Sequence, residues 1–186
     1  MNRLPLIICL LLSVFGAQAH SVPPPLPIDK DTRKVCYTGT VRVGKASQSE
    51  LYARARQWVA TESKAPSAVR LREDQRAGTL VGEGSTMFSQ PPRLAARSRL
   101  LFTLSLTVKP GNYRYTLTDI ANEPTDTTSG QRPVPVEAVL RNTKAMLELD
   151  PTSEDLPDRL EYLNALHAEI LAVVQRLEVI MAASKK

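Results

Sequence analysis

The sequence is poor in the residue types on which most catalytic and metal sites depend. It has two cysteines and two histidines among 186 residues. Protein zinc sites are built from several Cys, His or carboxylate ligands, and a Ser or Cys nucleophile normally needs a His base. The chain also contains no HExxH, CxxC, Walker or GxGxxG pattern. These absences predict a protein that is not an enzyme, with no catalytic residues, metal or cofactor.

The few cysteines and histidines have structural explanations. Cys9 lies in the N-terminal apolar run, so Cys36 is the one cysteine expected in an exported protein, and an intramolecular disulfide is excluded. We expect Cys36 to be a small buried side chain in a strand rather than a link between two chains. His20 stands at the predicted new N-terminus. His167 interrupts a helical seam, where it packs and helps to set the register.

The one long apolar run is at the N-terminus. Arg3 precedes an apolar stretch over residues 4–15, and Ala17, Gln18 and Ala19 form a small-residue cleavage pattern. The stretch is too short to cross a membrane as a mature helix. We therefore predict a signal peptide over residues 1–19, export to the periplasm or the extracellular space, and no membrane span after cleavage.

The composition divides the remaining chain into four parts. The chain has 14 prolines against 8 glycines, and four of the prolines fall within residues 23–27. Residues 20–34 are therefore predicted to form a proline-rich extended tether. Residues 35–120 carry the patterns of a compact domain. Residues 121–135 have the composition of a linker, and residues 136–186 that of a C-terminal helical extension.

The central domain has the pattern of an α+β fold. Residues 35–43 alternate with a period of two, as a half-buried strand does. Ser47 and Glu50 form a capping box for a helix that ends near Glu62 and carries Trp58 on its apolar stripe. Further strands are predicted over residues 67–74, 78–88, 99–108 and 113–120. We predict an antiparallel sheet with this helix on one face, plus a long C-terminal helix.

The two faces of the predicted sheet differ in chemistry. One face is aliphatic and aromatic, with Phe102 and Leu104, and the capped helix must cover it. The other face holds the candidate binding residues, which are hydroxyl side chains with two arginines: Thr38, Thr40, Arg42, Thr103, Ser105, Thr107, Arg114, Thr116 and Thr118. This composition is explained either by a solvated surface or by a binding platform, because hydroxyl groups both donate and accept hydrogen bonds.

The C-terminal helix, predicted over residues 153–183, has an unusually regular apolar seam. Its members alternate in steps of four and three: Leu156, Leu160, Leu163, His167, Ile170, Val174, Leu177 and Met181. A seam of about four heptads is typical of a coiled coil. Two arrangements stay open: the helix packs on its own sheet, or it pairs with a second copy or with an envelope protein.

Three motifs give the central region a family resemblance. They are the SELYARA run from Ser49 followed by Trp58, the GTLVGEG run from Gly78, and the KPGNYRYT run from Lys109 that leads to Ile120. From about residue 37 to residue 120 the chain resembles the bacterial DUF4468 family, a domain of unknown function with a TBP-like fold. The resemblance implies this fold and a location in the cell envelope, but no activity. It also implies frequent lipid anchoring, for which this chain lacks a cysteine at the predicted cleavage site.

A TBP-like fold and a basic middle region both point toward nucleic acid. Residues 64–114 contain nine basic and three acidic residues, whereas residues 145–186 contain eight acidic and four basic ones. TBP, however, inserts apolar side chains from its exposed sheet face, and here that face carries hydroxyl groups. We therefore predict no nucleic-acid binding, and expect the basic region to meet an acidic helix or anionic envelope components.

Two functions fit these observations. The first is an exported, non-catalytic binding or interaction module of the bacterial cell envelope, with the hydroxyl-bearing face as its platform. The alternative is a small-ligand carrier in which the C-terminal helix lies over that face as a lid.

Overall fold

The structure is a computed structural model that describes residues 23–62, 71–89, 97–125 and 132–183. The predicted signal peptide lies outside these residues. The secondary structure runs in the order β1 (Tyr37–Arg42), α1 (Gln48–Glu62), β2 (Arg72–Asp74), β3 (Thr79–Ser89), β4 (Arg97–Lys109), β5 (Asn112–Pro124), β6 (Val134–Pro135), α2 (Val136–Leu149) and α3 (Leu156–Ala182).

The strands form one antiparallel sheet, as predicted. The strand order is β1-β5-β4-β3-β2, and β6 pairs with the far end of β5. The hairpin between β4 and β5 turns at Pro110 and Gly111, and Gly111 has a φ of 75°, which glycine adopts without a steric penalty. At one edge, β2 has only three residues, all exposed and charged, and such short charged strands discourage pairing with other chains.

The apolar face of the sheet is buried under helix α1. Trp58 is 1% exposed, and its ring centroid lies 6.4 Å from that of Phe102 on β4. Leu104 is also buried in the same core. The predicted two-sided sheet, with Trp58 as a core anchor, is therefore confirmed.

Local hydrogen bonds set the start of α1. The Ser47 backbone N–H donates to Glu50 Oε2 at 2.8 Å, and the Glu50 N–H donates to Ser47 Oγ at 3.3 Å. This is the reciprocal capping box that satisfies two free backbone donors at a helix start.

Helix α3 packs on its own sheet, beside α1. Seven of the eight seam residues are buried, and His167 is half-buried. Four of the eight belong to the same hydrophobic core as Trp58: Leu163, Ile170, Leu177 and Met181. At the far end, Arg54 of α1 donates from Nη1 to the Met181 carbonyl oxygen at 2.8 Å, which satisfies a free acceptor of the last turn. The seam therefore serves intramolecular packing.

The predicted tether and linker are partly structured. Leu26 belongs to the hydrophobic core, and Ile28 forms an isolated bridge with Val35. The stretch from residue 23 to residue 34 therefore packs against the domain instead of extending from it. Strand β5 continues to Pro124, four residues past its predicted end, and it pairs with β4 on both sides of a register shift between Leu101 and Thr103.

Candidate functional site: the hydroxyl-rich face

The predicted binding residues lie together on the face of the sheet opposite the helices, called here the hydroxyl-rich face. The antiparallel pairing sets them in rows across β1, β5 and β4. The first row is Thr38, Thr116 and Ser105, the second is Thr40, Arg114 and Thr107, and the third is Thr118 and Thr103. Side chains directly opposite each other in such rows have Cβ atoms about 5 Å apart, so the hydroxyl groups form a regular array.

The array is open to solvent. Thr38, Thr40, Arg42 and Arg114 are exposed, whereas the remaining hydroxyl residues, which lie nearer the centre of the sheet, are half-buried: Thr103, Ser105, Thr107, Thr116 and Thr118. The face also extends over β3, where Thr79 pairs with Thr107 and Glu83 with Thr103. The sequence prediction missed these two, because three glycines obscure the alternation of β3.

Some hydroxyl groups are engaged within the protein. Thr38 Oγ1 donates to the Tyr115 carbonyl at 3.0 Å, and Thr118 Oγ1 donates to the Val35 carbonyl at 3.4 Å. By contrast, four side-chain hydroxyl groups have no hydrogen bond to any residue that the structure describes: those of Thr40, Thr103, Ser105 and Thr107. These four retain both donor and acceptor capacity for a ligand.

Positive charge is concentrated at one end of the face. Arg42 pairs across the sheet with Asn112, which in turn pairs with Lys109, and Arg114 lies in the adjacent row. All three cationic side chains are exposed. This end of the face therefore attracts anions.

Helix α3 does not cover the hydroxyl-rich face. Its polar contacts to the sheet go to the apolar side, where the Tyr37 hydroxyl lies 2.7 Å from His167 Nδ1 and Thr86 Oγ1 donates to Glu169 Oε1 at 2.9 Å. The predicted lid over the hydroxyl groups therefore has no counterpart in these contacts.

Among the described residues, two of the surface depressions lie away from this face. A cleft of about 360 Å³ opens between the end of β5, β6, α2 and the start of α3, with Asn122, Arg159 and Tyr162 in its lining. A groove of about 370 Å³ runs between α2 and the N-terminal segment near Ile28 and Arg33. Sequence analysis missed the cleft because Asn122 falls in the predicted linker, and no pattern connects it with Tyr162.

The described ranges contain neither a clustered metal site nor a helix that could span a membrane. These ranges hold no cluster of three or more His, Cys, Asp or Glu side chains arranged for a metal ion. None of their helices has the length and apolar content needed to cross a membrane.

Residues 37–122 match the sequence model of a family described as "Domain of unknown function (DUF4468) with TBP-like fold". This segment is a DUF4468 domain. The match covers β1 through most of β5, which is the part of the chain where the sequence resemblance was found. No curated protein matches the chain.

Solved structures extend the likeness beyond this domain. A TBP-like protein from Parabacteroides distasonis ATCC 8503 superposes with a TM-score of 0.66 at 14% identity, covering 86% of this chain and 99% of its own. A DUF4468 family protein from Bacteroides ovatus ATCC 8483 superposes with a TM-score of 0.56 at 20% identity, covering 89% of this chain and 93% of its own. Since residues 1–122 are only about two thirds of the 186 residues, both matches include much of the α2 and α3 region. The α+β, TBP-like fold is therefore shared.

Proposed function

We propose that this protein is an exported, non-catalytic binding module of the bacterial cell envelope, and that the hydroxyl-rich face is its platform. The observation that carries the proposal is the open array itself. Four hydroxyl side chains at its centre and edge lack a partner among the described residues, while the helices pack on the opposite side of the sheet.

The chemistry of the face favours an anionic glycan as the ligand. Hydroxyl groups in rows match the donor and acceptor pattern of sugar hydroxyls. The guanidinium groups of Arg42 and Arg114 suit carboxylate or phosphate substituents, which they bind through two parallel hydrogen bonds. The flat exposed surface fits an extended polymer better than a small enclosed molecule.

Co-sedimentation with purified peptidoglycan sacculi and with lipopolysaccharide vesicles tests the platform. We expect binding that falls with added salt and that is lost in Ser105→Trp, at the centre of the array, and in Arg114→Glu. The matched control is Gln175→Trp, on the exposed side of α3, which should bind normally. Absence of binding, or binding unaffected by both face variants, contradicts the proposal.

Export is tested separately. Expression of the whole chain in a Gram-negative host should yield a periplasmic protein whose N-terminal residue, determined by sequencing, is His20. A full-length product retained in the cytoplasm contradicts export while leaving the binding test intact.

The C-terminal helix has limited capacity for partners under this proposal. Its seam is used in the core, and the large apolar side chains left exposed on it are Leu171 and Val179. We expect the purified protein to sediment as a monomer. A dimer that dissociates in Leu171→Lys or Val179→Lys would instead establish self-association through the outer side of α3.

A further inference from the structure

Buried polar atoms without partners cluster around the cleft between β5, β6, α2 and α3. Five such side-chain atoms occur in the described parts of the chain, and three belong to residues lining this cleft: Asn122 Oδ1, Arg159 Nε and Tyr162 Oη. In folded proteins the large majority of buried polar side-chain atoms are hydrogen-bonded. Three of the five exceptions belong to residues that line one cleft, which makes this cleft the best-supported position for a bound molecule.

Tyr162 is held firmly in this position. It is 6% exposed, and its ring packs edge-on against Phe88 with centroids 5.5 Å apart. Burial raises the pKa of the Tyr162 phenol to about 12, so the hydroxyl group is protonated at neutral pH. It is therefore a fixed hydrogen-bond donor that also retains acceptor capacity.

The unpartnered atoms define what a ligand must carry. Asn122 Oδ1 is an acceptor and needs a donor, whereas Arg159 Nε–H is a cationic donor and needs an acceptor. The Asp155 side chain, also in the lining, makes no capping bond to α3 and supplies a negative charge. In the first turn of α3 the Leu156 and Arg159 N–H groups donate to the Ser153 and Asp155 carbonyl oxygens, and Pro157 has no N–H group. The donors for an anionic group are therefore the side chains of Arg159 and Tyr162. A small molecule that carries one cationic and one anionic group can therefore bond to both the acceptors and the donors of the cleft.

The walls and the volume of the cleft limit the class of ligand further. Val134 and Val139 supply apolar surface, which suits an aliphatic side chain. At about 360 Å³ the cleft is far larger than the roughly 30 Å³ that one liquid water occupies, and lies in the range of small-molecule sites. Asn122 shares the apolar side of the sheet with its pairing partner Leu100, so the cleft is separate from the hydroxyl-rich face.

We propose that this cleft binds a small aliphatic zwitterion of the amino-acid or dipeptide class. The carboxylate is held by Arg159 and Tyr162, and the ammonium group by Asn122 and Asp155. The proposal is independent of the glycan platform, because it depends on different residues on the other side of the sheet.

Calorimetric titration and thermal unfolding of the purified protein test it, with L-leucine and leucyl-leucine as probes. At least one probe should bind and raise the unfolding temperature. Two truncated probes should bind at least about tenfold more weakly, because each lacks one charge-assisted hydrogen bond. They are leucinamide, which has no carboxylate, and 4-methylpentanoate, which has no ammonium group. Equal binding of either truncated probe overturns the zwitterion assignment.

Two variants connect binding to the cleft, and one serves as a matched control. Tyr162→Phe and Arg159→Met should each weaken binding about tenfold or more. Tyr113→Phe removes another buried hydroxyl group without a partner, but one outside the cleft, and should leave binding unchanged. The proposal is wrong if neither probe binds at millimolar concentration, if both cleft variants bind normally, or if crystals soaked with the probes hold only water in the cleft.

Discussion

The Tyr37 hydroxyl lies 2.7 Å from His167 Nδ1, and the two ring centroids are 5.7 Å apart. This contact joins the edge strand β1 to the middle of α3. His167 is the one seam residue that is not fully buried, and its polar ring meets a hydroxyl group. Burial raises the pKa of Tyr37 well above its usual range, so its hydroxyl group remains able to donate at neutral pH. The register of α3 on the sheet therefore brings His167 to a polar partner, in keeping with the expected role of this residue in setting that register.

Removing the Tyr37 hydroxyl should destabilise the protein. We expect Tyr37→Phe to lower the free energy of unfolding by about 1 kcal/mol, because the half-buried His167 Nδ1 loses its partner. Urea unfolding measures the effect. A double-mutant cycle with His167→Leu should return a coupling energy of about 1 kcal/mol. Additive effects of the two changes would contradict a direct interaction between them.

A second prediction concerns the packing of Phe102 over β3. A Cβ atom added at Gly84 would lie 2.3 Å from Phe102 Cε2, whereas one added at Gly82 would lie 3.3 Å from Val59 Cγ1. We expect Gly84→Ala to cost about 3 kcal/mol in unfolding free energy, and Gly82→Ala, the matched control, less than about 1 kcal/mol. Phe102→Leu should relieve part of the cost of Gly84→Ala in the double variant. Equal costs at the two glycines would contradict this account.

The division of the sheet into two faces was predictable because β4 repeats a strict period of two. Along that strand Leu104 and Leu106 are buried, and Thr103 and Ser105 lie opposite, so one register satisfies every position. The placement of α3 was not predictable. The apolar residues of a heptad seam can be buried equally well against a partner helix or against a sheet with a neighbouring helix. Only the tertiary contacts distinguish these two arrangements.

The sequence did not predict the cleft because of a local irregularity in the pairing of β4 and β5. Strict alternation from Tyr113 would put Ala121 on the core side, but the register between β4 and β5 shifts by one residue between Leu101 and Thr103. After the shift, Asn122 pairs with the buried Leu100. One extra residue moves every later side chain to the other face, and a sequence pattern does not reveal where this occurs.

Alkaline pH should destabilise the protein through its buried phenols. Burial raises the pKa of Tyr162 from 10.0 to about 12, and the pKa values of Tyr37 and Tyr113 are raised for the same reason. The unfolded chain releases these protons first, so the contribution is fully present below about pH 10 and is lost as the pH rises through the folded-state values. Unfolding free energy measured between about pH 9 and pH 12 should fall less steeply in Tyr162→Phe. Leu163→Ala, which destabilises without titrating, should keep the original slope; an unchanged slope in Tyr162→Phe would refute the assignment.

The register shift in β5 centres on Asp119, which has a positive φ of 53°. Its carboxylate also contacts the ammonium group of Lys34, and both side chains are about half exposed. A left-handed backbone costs a residue with a Cβ atom roughly 1 to 2 kcal/mol, although aspartate tolerates it better than most. An exposed ion pair contributes little.

The backbone conformation, not the ion pair, should therefore control stability at this position. We expect Asp119→Ala to lower the unfolding free energy by about 1 kcal/mol and Asp119→Gly to leave it nearly unchanged, because glycine adopts positive φ freely. Lys34→Met, which removes the ion pair alone, should stay within about 0.5 kcal/mol of the parent. Urea unfolding of the three variants separates the two contributions: equal losses in Asp119→Ala, Asp119→Gly and Lys34→Met would assign the effect to the ion pair instead.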